Sequence, residues 1–219
     1  MPSTILAFGL TPGDIEMGCG GTLAVLAEAG YAVGLVYPSS SCPEPAECRL
    51  EAQAAARCLG IGSVHFIPLT ENGGIMGQAG VLAAARLIRE QRPELIYTLA
   101  GSEAAPEALA LSCLVATAMT AAADPAAEGL AGEPFAVRTL FSFELKPPLA
   151  TFRHAVNITP AMDRKLEAIR SYPFLAGKGY DEAMRGLARY RGAVSRAGTF
   201  AEVFDILAGE YEPFHTWDE

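Results

Sequence analysis

Four carboxylates in two short stretches carry most of the chemistry this chain could perform. Asp14 and Glu16 stand two residues apart in Leu10-Thr11-Pro12-Gly13-Asp14-Ile15-Glu16-Met17-Gly18-Cys19-Gly20-Gly21-Thr22. Glu103 and Glu107 bracket Ala104-Ala105-Pro106. Acids gathered this way suit a hard, oxygen-preferring cation, and a carboxylate beside a metal-bound water can take its proton. Imidazoles are scarce. Of His65, His154 and His215, the first lies inside an apolar run and the last near the C-terminus, so both read as packed or surface residues. His154, just ahead of Ala155-Val156-Asn157-Ile158-Thr159, is the histidine that could lean toward the acids.

The five cysteines are odd in number and include no Cys-x-x-Cys pair, which predicts free thiols in a reducing compartment. Cys42, Cys48 and Cys58 match no zinc spacing, and Cys58 continues a helical row with Leu50 and Ala54. Cys19 has no histidine near it in sequence and reads as a packing residue, not a nucleophile. Gly18-Cys19-Gly20-Gly21-Thr22-Leu23 lacks the third glycine of a dinucleotide fingerprint. The next strand ends at Tyr37-Pro38 without an acid for a ribose. Close packing of loop and helix is the simpler reason for these glycines.

The elements that must position these residues alternate. Thr4 to Phe8 is a continuous apolar run, as in a central strand buried on both faces. Gly9 to Gly18 reads as a loop, and Leu23 to Ala29 as a helix closed by Gly30. Val33 to Tyr37 is a second strand and Pro38 to Pro45 a loop. Ala46 to Leu59 is a helix, and Val64 to Ile67 a third strand. Val81, Ala84, Ala85 and Ile88 share one helical face, and Pro93 ends that helix. Leu95 to Leu99 is a fourth strand, followed by an Ala-rich helix over 104–123. Val137 to Phe143 and Ala155 to Ile158 read as late strands. Thr159 is placed to cap a helix with Pro160 in its first turn. Met162, Leu166 and Ile169 form one apolar row, and Ala183, Leu187 and Tyr190 another.

This order predicts an α/β chain: a Rossmann-like three-layer sandwich, its sheet mostly parallel with helices on both faces. In such sheets ligands bind beyond the carboxyl ends of the strands. Both acidic stretches leave strands at that edge. Half the residues are apolar (51%), enough for one substantial core, and no linker divides residues 1–219. The net charge of −9 and the absence of a basic stripe exclude nucleic acid as a partner. With no apolar or Arg-rich leader and no run long enough to cross a bilayer, a soluble cytoplasmic protein with no membrane partner is expected.

The first stretch resembles the loop of LmbE-like zinc N-deacetylases, the family that includes the PIG-L enzymes. There a strand runs into Ala-His-Pro-Asp-Asp and then Gly-Cys-Gly-Gly-Thr. By this resemblance the zinc-binding His falls on Thr11, the general-base Asp on Gly13, and a second zinc-binding Asp on Asp14. The family's His-Pro-Asp-His resembles Ala105-Pro106-Glu107-Ala108, so its catalytic His falls on Ala105 and a zinc His on Ala108. Glu51 to Leu59, Met162 to Arg170, Leu187 to Gly192 and Phe200 to Phe204 also resemble family segments, the last two as its final helix and tail.

The resemblance implies a single LmbE-like domain with an ancestral pocket at Thr11, Pro12, Gly13, Asp14, Glu16, Glu103, Ala105, Glu107 and Ala108. Asp14 is the only family ligand retained. No cofactor is expected, since one ligand does not hold zinc. The resulting expectation is a non-catalytic relative that binds a sugar-like molecule, or a subunit that pairs with itself or a related chain. The alternative is an active N-acetyl sugar deacetylase with a rebuilt, carboxylate-rich metal site drawing on Asp14, Glu16, Glu103, Glu107 or His154.

Overall fold

Thr4–Phe8 forms strand β1, an interior strand third from one edge of a seven-stranded sheet, its apolar side chains buried on both faces. The computed structural model describes residues 3–41, 45–68, 77–101 and 105–209. Around β1 run β2 (Ala32–Pro38), β3 (Ser63–Ile67), β4 (Pro93–Leu99), β5 (Thr139–Phe143), β6 (His154–Asn157) and β7 (Ala201–Gly209). Their order is β3-β2-β1-β4-β5-β7-β6. The first five are parallel, with Ile5 opposite Val33 and Leu95. β7 is antiparallel to both β5 and β6. The sheet is therefore mostly parallel, and the chain is an α/β sandwich of three layers.

The helices are α1 (Asp14–Glu28), α2 (Pro45–Cys58), α3 (Gln78–Gln91), α4 (Pro106–Ala123), α5 (Met162–Arg170), the single turn α6 (Pro173–Ala176) and α7 (Tyr180–Ser195). Helix α5 packs against α1, α2 and α7, while α3 packs against α4 in the other layer. Strand order reverses between β1 and β4. The Gly9–Gly13 turn and the start of α4 both lie at the carboxyl ends of those strands, where α/β sheets bind ligands.

Several expectations need correction. Helix α1 begins at Asp14, nine residues before the predicted Leu23, and runs straight through Gly18, Gly20 and Gly21. Glycine lowers helix propensity, so local preference favours a loop there. Packing overrides it: a Cβ on Gly18 would collide with the Phe143 ring, and one on Gly21 would stand 2.7 Å from Ile158. The segment from Ala201, read as a tail, is strand β7, paired to β5 and β6. In α7 the buried row is Met184, Ala188 and Arg191, whereas Tyr190 is 58% exposed. Thr159 caps no helix; it opens a 3₁₀ turn over Thr159–Ala161, and its hydroxyl accepts the Phe200 N–H at 3.1 Å. Other signals correspond closely. Gly30 takes φ +93° just after α1, and Ala84, Ala85 and Ile88 face inward from α3.

Cysteine usage also differs from expectation: Cys48 is disulfide-bonded, while Cys19, Cys58 and Cys113 are free. Cys42 and His215 lie outside the described residues. Helix α4 has the length and apolar composition to cross a bilayer, contrary to the sequence reading. It nevertheless packs on β4 and α3 with Leu111, Leu114, Val115 and Ala118 buried.

Arg89 is buried and, among the described residues, pairs with carbonyls instead of a carboxylate. Its guanidinium donates to the carbonyls of Ala122 (3.0 Å), Leu130 (3.1 Å), Gly132 (3.1 Å) and Asp124 (2.6 Å). The cation sits where unsatisfied carbonyls and the negative pole end α4, which offsets its desolvation.

The glycines of α1 give a test of packing against propensity. A methyl group added at Gly20 would have Leu59 as its nearest neighbour, at 3.6 Å, an ordinary contact. Gly20→Ala should raise unfolding free energy by about 0.5–1 kcal/mol. Gly21→Ala should lower it by about 1–3 kcal/mol through overpacking on Ile158. Urea unfolding of both variants checks the opposite signs.

Candidate functional site

The turn leaving β1 is shaped by its own acids. Asp14 Oδ2 accepts the N–H groups of Leu10 (3.1 Å) and Thr11 (2.8 Å), tying the turn to the start of α1. Burial raises the proton affinity of Asp14, opposed by those bonds and by the charge of Lys146. Glu16 lies fully buried one turn into the helix. Its carboxylate accepts from Tyr172 (2.7 Å), Tyr37 (2.8 Å) and the Gly13 N–H (3.0 Å). Desolvation pushes Glu16 above the usual carboxyl range against these donors, and burial beside Glu16 pushes Tyr37 and Tyr172 up.

Gly13 is fixed by geometry as well as by hydrogen bonding. Its φ of +103° lies in the left-handed region, and an added Cβ would stand 2.6 Å from Leu175 Cδ1 in α6. A side chain here is strained by the backbone, and the end of the Leu175 side chain would have to shift to admit it.

The second stretch begins α4. Ala105 is the residue before its first turn, Pro106 occupies that turn, Glu107 is exposed and Ala108 is buried. Glu103 lies outside the described residues.

A cavity of about 410 Å³ opens beside the first turn, lined by Thr11, Pro12, Ser41, Glu47, Cys48, Glu51 and Phe174. Of the ancestral positions it takes Thr11 and Pro12 into its wall. Gly13, Asp14 and Glu16 are buried in the α1 start, and Ala105, Glu107 and Ala108 are not among its lining residues. The remaining wall comes from the segment after β2, α2 and α6, elements the motif does not connect to the site. The available signal was a pair of acids four residues apart on α2, Glu47 and Glu51, which share one helical face.

His154 stands elsewhere. It lies in β6, with its ring 5.6 Å from Phe141 and 6.1 Å from Phe204. Three strands separate β6 from β1, so at ~4.8 Å per step the two are roughly 19 Å apart. Burial lowers its pKa to about 4. His65, on β3, receives a 2.7 Å contact from Ser63 and belongs to the opposite flank. Cys19 is buried in α1 and its thiol is pushed well up, foremost by burial, so no thiolate is available there.

A zinc hydrolase site needs several imidazole or carboxylate ligands with one position open. Among the described residues no three His, Cys, Asp or Glu side chains converge on a common point. Thr11, Gly13, Ala105 and Ala108 offer no ligand, and Asp14 is already engaged by two backbone donors. The described residues of the two stretches do not by themselves fit zinc.

No protein-family model matches the chain. Solved structures do. The chain is similar over the full length of both to a conserved protein, TT1542, from Thermus thermophilus, at 26% identity and a TM-score of 0.86. It is similar to the 4-carboxy-2-hydroxymuconate hydratase GalB from Pseudomonas putida at 20% identity and TM-score 0.82, covering 96% of this chain and 98% of that one. An N,N'-diacetylchitobiose deacetylase from Pyrococcus horikoshii aligns at 19% identity and TM-score 0.78, over 97% and 88%. The chain has the fold of the LmbE-like, PIG-L-type deacetylases, as its motifs imply.

The buried imidazole of His154 generates a pH prediction. Its pKa is depressed from 6.5, so the folded protein binds this proton less tightly than the unfolded chain. Stability from this group is present above pH 6.5 and is lost as pH falls toward 4. Substituting His154→Phe should flatten unfolding free energy over that window. An unchanged pH slope would show that His154 does not titrate on unfolding.

Proposed function

We propose that this chain is a ligand-binding member of the deacetylase fold that performs no metal-dependent amide hydrolysis. It takes a sugar-like small molecule into the cavity beside Pro12 and Phe174, alone or as a subunit assembled with its own copies or a related chain. The observation that carries this reading is Gly13. The position of the family's base is a glycine held at φ +103° beside Leu175, so the carboxylate that would take a proton from an attacking water is missing. The aliphatic Ala105 and Ala108 support the same reading, because the helix start that would present imidazoles presents methyl groups. Cavity size agrees with a small ligand, as binding clefts commonly measure about 300–1,000 Å³.

The test is metal analysis of the purified protein with an acetate-release assay on N-acetylglucosamine conjugates. Substoichiometric zinc and no release above background, with or without added zinc, is the expected result. Asp14→Ala should leave that background unchanged. Stoichiometric zinc with turnover abolished by Asp14→Ala would establish the rebuilt, carboxylate-rich hydrolase site instead.

A further inference from the structure

The cavity wall is chemically one-sided. Glu47 and Glu51, one turn apart on α2, both line it, and among the described residues no Lys, Arg or His does. Ion pairs elsewhere among the described residues engage Glu28, Glu144, Asp181, Glu182, Glu202 and Asp205, but neither of these two acids. The nearest basic residue in sequence, Arg49, is committed to the Phe66 ring, 4.3 Å from its centroid. Glu51 holds its proton more tightly than an ordinary glutamate, through partial burial and the neighbouring Glu47 charge. In the same wall Phe174 leaves 53% of its surface uncovered, and Pro12 adds a second apolar group.

Two carboxylates that form no ion pair among the described residues, beside a half-exposed aromatic ring, form a recognition pattern for one kind of molecule. The charges require a cation, and the ring offers a face to the apolar side of a small ring and to its positive charge. We propose that the cavity selects a ligand carrying a free ammonium group, directed to Glu47 and Glu51 with its body against Phe174 and Pro12. The same molecule acylated on that nitrogen is disfavoured. An amide nitrogen carries no charge, and its acyl group adds bulk beside the two carboxylates. This inference rests on the ligand-binding reading above and names the class of ligand within it: an amino sugar with its amine unblocked.

Calorimetric titration of the full chain with D-glucosamine, N-acetyl-D-glucosamine and cyclohexylamine, in mildly acidic low-salt buffer, tests it. D-glucosamine should bind about tenfold more tightly than its N-acetyl form, since partly exposed ion pairs contribute up to about fivefold each. Glu47→Gln and Glu51→Gln should each weaken D-glucosamine about three- to fivefold and leave the N-acetyl sugar unaffected. Unchanged thermal unfolding of both variants attributes the loss to charge.

N-acetyl-D-glucosamine binding as tightly as D-glucosamine would overturn the amine preference and leave the sugar-binding reading standing. Cyclohexylamine binding with the same glutamate dependence, while neither sugar binds, would uphold the amine preference and overturn the sugar-like body. Failure of all three to bind would overturn both.

Discussion

The rest of the architecture hangs on a buried ion pair that enters α1 from the side. Glu202 in β7 accepts the N–H groups of Gly21 (3.0 Å) and Thr22 (2.7 Å), and pairs with Lys165 of α5. Lys165 in turn donates to the Met17 carbonyl at 2.5 Å. In an α-helix the Met17 carbonyl is the partner of the Gly21 N–H. The pair therefore addresses both ends of one helical rung and joins α1, α5 and β7 at a single point. Both side chains are almost wholly buried, so removing either would strand a charge, at a cost of about 3–5 kcal/mol. Gly18 and Gly21 follow from this arrangement, since α1 must come close enough to β5 and Ile158 for Glu202 to reach its backbone.

A second buried pair does similar service nearer the end of the chain. Arg191 of α7 donates to Glu144 at 2.9 and 2.5 Å and to the Leu149 carbonyl at 2.6 Å, while the Leu149 N–H donates to the same glutamate. These bonds fix the segment after β5 against α7. Like the Glu202 pair, they use a charge to order irregular backbone, where every N–H and C=O still needs a partner.

The parallel strands were legible because each is a short apolar run bounded by turn residues, and α3 and α5 because their apolar rows keep helical spacing. What stayed hidden depends on distant partners. β7 is defined by pairings such as Phe204 with Phe143 and His154, and a short apolar run alone does not distinguish strand from helix or tail. Helix α1 contains three glycines whose local preference opposes it. The row of α7 was read one residue out of phase because Arg191, a charged residue, belongs to the buried face. At the site, the motif stretch identified the turn, yet the partners of Glu16 lie 21 and 156 residues away. The walls formed by Glu47, Glu51 and Phe174 come from elements that only the fold brings to Pro12.

A loop without imidazoles can keep this shape because the chain organises the turn with its own groups. A metal ion orders a loop by drawing several ligands to one point, and loops that rely on it lose shape without it. Here Asp14 closes the turn on Leu10 and Thr11, Glu16 holds the Gly13 N–H and is clamped between Tyr37 and Tyr172, and Leu175 fills the space above Gly13. The acid that resembles a zinc ligand thus has structural work independent of any ion. The same clamp places Tyr172, whose ring lies edge-on to Phe174 at 6.1 Å, so the carboxylate that braces the turn also sets the aromatic rim of the cavity. The rim beside Pro12 is thus a surface already held in place from beneath, and preorganisation of that kind lowers the ordering cost of any contact made on it.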